Sequence, residues 1–242
     1  MPALFDAHNH FQEFPDPAGA AAGLRPALCC STGPADWESV RGLSEASPGV
    51  VPFFGLHPWL IAEAGADWLA PLGQLLKDTR SGVGECGLDA LKGPSLEEQS
   101  GVFKRQLELA VLLDRPVSVH CVRAWGPLLE ALRSSRPLRF LVHSYSGSAD
   151  MTRELAALGG YFSFGPAILD ERRGKARAAL AEVPRERLLF ESEAPRAEGA
   201  PAGVLARVHE AAERTLGLPA GAAAAVSARN GAEFLGRLAG GR

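Results

Sequence analysis

SLEEQSGVFKRQLELAVLLDRPVSVH, from Ser95 to His120, carries one complete structural unit. Ser95 stands three residues before Glu98, the spacing of a capping box, and Val102, Phe103, Leu107, Leu109, Ala110 and Leu113 recur at helical intervals. Pro116 stops the helix, since its ring removes a backbone donor and crowds the preceding turn. The run Pro116–His120 then has the length and apolar character of a buried strand, and it ends on a histidine.

Outward from this unit the same alternation repeats. Candidate strands are Ala3–Ala7, Ala27–Ser31, Val50–Gly55, Ser81–Glu85, Pro116–His120, Arg139–His143, Gly160–Ser163 and Leu188–Glu191. Helical patterns fall at Asp36–Ala46, Asp67–Thr79, Ser95–Leu113, Ala124–Ser134, Ser148–Leu158, Asp170–Glu182, Gly203–Leu216 and Ala222–Leu238. Repeated βα units imply a parallel sheet, and 242 residues is close to the roughly 250 that one closed α/β barrel uses. The expectation is α/β: a single TIM-like (β/α) barrel over residues 1–242, with its site at the C-terminal ends of the strands. Pro15–Pro26 and Arg196–Gly203 read as loops over that face.

A formal net charge of −3 supplies no global attraction to polyphosphate, so nucleic acid would have to be held by a local patch or by cations. No segment approaches the roughly 18 apolar residues of a membrane span. The opening PALFDAHNHF lacks a basic region followed by an apolar run, which reads as a cytoplasmic protein. Cys29, Cys30, Cys86 and Cys121 lie in or beside apolar runs, match neither a zinc knuckle nor a disulfide framework, and read as reduced and structural. Cys86 in particular reads as core packing rather than a reactive thiol.

Chemistry gathers where strands end. In Asp6-Ala7-His8-Asn9-His10, alternation along an extended chain turns His8 and His10 to the same side, where one cation could take both. Glu85, His120 and His143 close three further apolar runs, and His57, Ser163 and the acids Glu191 and Glu193 stand at the ends of others. Imidazoles with carboxylates suit zinc, manganese, iron, nickel or cobalt better than an oxygen-only site would, with zinc favoured and magnesium the harder alternative. A carboxylate such as Glu85 can bridge two cations, an arrangement that supports hydrolysis.

In order along the chain, DAHNH, FGLHPW, GECGLD, QLELAVLLDRPVSVH, LVHSYSGS, LLFESEAP and the Asn230–Leu235 stretch resemble the TatD family of metal-dependent hydrolases. The resemblance implies two divalent metal ions held by His8, His10, Glu85, His120, His143 and Glu193, with Glu85 bridging and Glu85 and Glu193 catalytic. It implies a phosphodiesterase, a deoxyribonuclease in which metal-held hydroxide attacks phosphorus, acting on DNA or a small phosphoester. No membrane association, no obligate protein partner and a monomer are the accompanying expectations for this chain.

This chain departs from the family pattern in three places. Glu193 stands where the family has Asp and reads either as a longer ligand or as a solvated acid. Arg123 lies one position beyond the family's Ser-Arg, and Ala90 and Leu91 replace an aromatic that could stack a base. For substrate binding the candidates are His57, Arg123, Tyr145 and Ser146, although His57 could equally bond the backbone. Arg172 and Arg173 read as pocket-lining or as a solvated helix start, and His209 as solvent-facing. Two other functions fit the same residues: an amide, lactone or ester hydrolase, or a non-catalytic metal-binding interaction protein.

Overall fold

The computed structural model describes residues 4–170, 172 and 174–238. Eight parallel strands form one sheet in sequence order. They are β1 (Leu4–Asn9), β2 (Leu24–Cys30), β3 (Val50–Phe54), β4 (Gly82–Asp89), β5 (Val117–Val122), β6 (Phe140–Val142), β7 (Gly160–Phe164) and β8 (Leu188–Phe190). The helices are α1 (Pro17–Ala20), α2 (Trp37–Ala46), α3 (Leu69–Asp78), α4 (Leu96–Leu112), α5 (Trp125–Ser135), α6 (Ala149–Ala157), α7 (Gly174–Glu182), α8 (Pro201–Leu216) and α9 (Ala222–Leu235). This is the TIM-like barrel expected from the alternation.

Among the described residues the ladder runs from β1 to β8 without a rung between those two strands. Side chains and loop backbone fasten the gap instead. Asp6 accepts from the Ser192 N–H at 2.8 Å and from its Oγ at 2.7 Å. Beyond it, the Glu193 N–H donates to the His8 carbonyl at 3.2 Å and the His10 N–H to the Ala194 carbonyl at 2.8 Å. The closing bonds therefore also join the two loops that carry the candidate ligands.

Alternation divides the core in two. Phe5, Ala7, Leu28, Cys30, Phe53, Leu141, Tyr161 and Leu189 form one buried cluster with Phe234 and Leu235 of α9. The larger cluster, including Cys29, Val83, Phe103, Leu107, Phe140 and Phe162, packs sheet against helices. Helix α9 seals one end: Phe234 lies 6.2 Å from the Phe53 ring and 5.4 Å from the Tyr161 ring, and Asn230 donates to the Leu188 carbonyl at 2.8 Å. That leaves the C-terminal end of the barrel for chemistry.

Several expected boundaries are corrected. Strand β4 does not stop at Glu85 but continues to Asp89, and β5 passes His120 to Val122. In β4, Val83 pairs with Val117 and Cys86 with Val119, so three steps on one strand face two on the other. This is a bulge, a device that re-aims a side chain without ending the strand. It requires Gly84 at φ +149° and is followed by Gly87 at φ +146°, where a Cβ would fall 2.0 Å from the His120 carbonyl oxygen. The Pro15–Pro26 loop holds α1 and the start of β2, and α8 begins at Pro201 within the expected Arg196–Gly203 loop. Ala3 and Arg173 lie outside the described residues.

Candidate metal centre

The bulge in β4 puts the Glu85 carboxylate among imidazoles from four other strand ends. Its Oε2 lies 3.3 Å from His8 Nε2 and 3.2 Å from His10 Nε2. Its Oε1 lies 3.2 Å from His57 Nε2, 3.0 Å from His120 Nδ1 and 3.0 Å from His143 Nε2. The two oxygens of one carboxylate thus face two different sets of histidines. On the far side of His143, Nδ1 is 3.5 Å from Glu193 Oε2.

Surrounding groups fix which ring nitrogen is presented. The carbonyl of Cys30 can only accept, so its 2.8 Å contact places a proton on His10 Nδ1 and makes Nε2, on the Glu85 side, the nitrogen that a cation would take. His57 is the reverse case: Nδ1 accepts the Trp59 N–H at 3.2 Å, so the neutral ring carries its proton on Nε2 and donates toward Glu85. His8 meets Ser118 Oγ through Nδ1 at 3.1 Å. Glu191 accepts from the Ser144 N–H at 2.9 Å and from the Ser163 hydroxyl, holding the turn that follows His143. Ser144 and Glu193 themselves have left-handed backbones, at φ +46° and +54°, a strain that persists only where surrounding bonds over-determine it.

Burial and charge work against each other here. Burial alone would raise the Glu85 carboxyl, but the surrounding histidines, His143 foremost, hold it well below the usual range. Burial would likewise lower His143, yet Glu85, Glu191 and Glu193 carry it well above the ordinary imidazole value. His10 is raised against burial by the same Glu85 carboxylate. His8 is pushed down to about 4 by burial and by charge on His143, and His57 is lowered by burial. Burial also opposes ionisation of Glu193, but His143 overcomes it; Glu191, buried beside that charge, rises to about 7.

The donor set fits divalent cations of the first transition row, which take imidazole and carboxylate together. Among the described residues three groups bring candidate ligand atoms within 4.8 Å of one another: His8, His10 and Glu85; His8, His143 and Glu193; His57, Glu85 and His120. His143 Nδ1 and Glu193 Oε2 are buried without a hydrogen-bond partner among the described residues, and a cation would satisfy both.

Other candidates are placed differently. His57 joins the cluster. Arg123 is exposed just past β5, with a left-handed backbone at φ +52°. Ser146 is exposed and lines a groove with Lys175 and Glu182. The structure does not bring Tyr145 to the cluster: its ring packs on Phe162 and Phe164, and its hydroxyl meets Thr152 Oγ1 on α6 at 2.9 Å. Arg172 is exposed and paired with Asp170. His209 is buried, correcting the expectation that it faces solvent, because it shares the helical stripe of Leu205, Val208 and Ala212. Sequence reading passed over Asp6, Ser118 and Asp89. Asp89 follows Glu85 by four positions on the bulged strand, which was the one available signal.

Comparison with known proteins converges on one family. The family model described as TatD related DNase matches residues 5–230. The "3'-5' ssDNA/RNA exonuclease TatD" of Edwardsiella piscicida is 33% identical over 180 residues, 72% of this chain and 69% of that one. The "uncharacterized metal-dependent hydrolase YjjV" of Escherichia coli K12 is 31% identical over 206 residues, 79% of each. The crystal structure of the Escherichia coli protein superposes with a TM-score of 0.87 at 28% identity, covering 97% of this chain and 98% of that one. Among the described residues no helix is long and apolar enough to cross a membrane.

Proposed function

The chain belongs to the TatD-related DNase family of metal-dependent hydrolases, and from that premise we propose that it cleaves phosphodiester bonds in single-stranded nucleic acid with two divalent cations held about Glu85. One observation carries the reading: the oxygens of Glu85 are divided between His8 and His10 on one side and His120 and His143 on the other. A carboxylate serving a single ion has no need of that division. Zinc or manganese suits the donors best.

Bound divalent cations acidify water toward neutrality and offset the charge of a phosphoryl group. The chain's own residues do the rest. His8, His10, Glu85, His120 and His143 would hold the cations, and Glu193, kept ionised beside His143, would accept a proton from water. His57 offers its Nε2 proton within the cluster, suited to a phosphoryl oxygen, and to exposed Arg123 and Ser146 we assign the binding of flanking phosphates. The cluster is complete within one chain, so this reading needs no donor from a partner subunit. Four free cysteines, two of them adjacent, support a reducing, cytoplasmic setting.

Glu85→Gln tests the proposal. The variant should retain its far-UV circular dichroism, lose at least one bound metal per chain, and cleave single-stranded DNA at least about 10³-fold less efficiently, a loss near 4 kcal/mol of transition-state stabilisation. Undiminished turnover at full metal content would reject the assignment.

A further inference from the structure

Asp89 lies at the end of β4, with both carboxylate oxygens committed. Oδ1 accepts the backbone N–H groups of Leu91 and Lys92 at 2.8 and 3.1 Å. Oδ2 accepts the Trp59 indole N–H at 2.7 Å and faces His120 Nε2 at 3.2 Å. The backbone is pinned too, since the Asp89 N–H donates to Gln99 Oε1 at 2.7 Å and Gln99 Nε2 donates to the Asp89 carbonyl at 2.9 Å. A carboxylate held at this many points is a fixed acceptor rather than a mobile ligand.

We infer that Asp89, itself oriented by Trp59, is a positioning residue that keeps the His120 proton on Nε2 and so presents Nδ1 to the cation site. The inference rests on the metal-dependent reading above and deepens it. A carboxylate that accepts from Trp59 can only accept from the imidazole as well, so His120 Nε2 must be the donor. In the neutral ring, the form a cation takes, His120 Nδ1 then carries the lone pair and turns it to the space shared by Glu85 Oε1, at 3.0 Å, and His143 Nε2, at 3.3 Å. Carboxylates behind metal-binding histidines act in this way, fixing tautomer and ring plane and raising ligand basicity. Trp59 adds an anchor: Lys92 Nζ lies 3.7 Å from its ring centroid, and its edge-on contact with His57, at 4.8 Å, ties the relay to a second histidine on the Oε1 side of Glu85. Trp59 is 39% exposed yet cannot turn without breaking the Asp89 bond.

The experiment uses the full chain labelled with ¹⁵N-histidine, stripped with a chelator and then titrated with Zn²⁺. Long-range ¹H–¹⁵N correlations on the stripped protein report which nitrogen of His120 is protonated, and calorimetry reports Zn²⁺ affinity, neither of which involves a substrate. The wild type should show a protonated Nε2. In Asp89→Asn, Oδ1 keeps the Leu91 and Lys92 caps while the amide NH₂ faces His120, so the proton should move to Nδ1 and Zn²⁺ affinity at one site should fall about 10- to 100-fold. Trp59→Phe keeps the ring but removes the indole donor, and should cost less affinity with the Nε2 tautomer retained. A wild-type His120 that lacks a proton on Nε2, or an Asp89→Asn protein with unchanged tautomer and affinity within twofold, would overturn the inference. A protein that binds Zn²⁺ as described but cleaves no nucleic acid would count against the proposed function and leave the relay standing.

Discussion

His209 lies in α8 with its ring edge-on to Phe190 at 5.1 Å, and its Nε2 is buried without a partner among the described residues. Burial pushes its pKa down to about 4, so the folded chain keeps it neutral where an unfolded chain, near 6.5, would take a proton. A lowered imidazole gives stability that is complete above pH 6.5 and is lost progressively as pH falls from 6.5 to 4, about 3 kcal/mol in all. Equilibrium urea unfolding at a series of pH values should therefore show a shallower decline for His209→Leu than for the wild type across that window. Identical declines would mean the ring is solvated. The signal for burial was in the sequence, since 205, 208, 209 and 212 form one helical stripe, but the polar neighbours Glu210 and Arg207 masked it. Tyr145 failed to be legible for a related reason: two residues beyond His143 in a turn, alternation no longer says which way a ring points.

Strand β4 shows where element-level reading stops. The apolar run Ser81–Glu85 predicts a strand that ends at its carboxylate. The strand instead carries Glu85 inward and runs on to Asp89, all of it buried. Only pairing with β5 makes that possible, through the bulge between Val83 and Cys86 and the close passage of Gly87 along the His120 backbone. Gly87→Ala should accordingly destabilise by on the order of 3 kcal/mol, from the positive φ and the clash with a backbone oxygen that cannot swing away. It should also weaken Zn²⁺ binding, because Glu85 and His120 flank the contact. Gly101, an exposed helical glycine with open space around it, is the control: Gly101→Ala should be neutral or slightly stabilising. Comparable unfolding midpoints for the two variants would contradict the close-packed account of β4.

Across the whole molecule, the cluster draws its ligands from β1, β4, β5, β6 and the segment after β8, so a cation there joins much of the barrel, including the gap between β1 and β8 that no ladder rung spans. Binding to the folded chain alone stabilises it by about 2.7 kcal/mol at a free concentration 100 times the dissociation constant. For a chain of this length that corresponds to a rise of roughly 5–10 °C in Tm, so calorimetric scans should show Tm falling on chelation and returning with Zn²⁺ or Mn²⁺. An unchanged Tm would argue against a site that spans the barrel. The sequence by itself determined the alternation of strand and helix, the barrel, and the histidines and acids at strand ends, because burial imposes periods of two and 3.6 that survive in one dimension. What folding adds is relational: that Glu85 divides its oxygens, that Asp6 ties β1 to Ser192, and that Asp89 and Trp59 meet behind His120. Each depends on the distance between atoms far apart in the chain, set by strand register, bulges and backbone acceptors, and no local pattern encodes that distance.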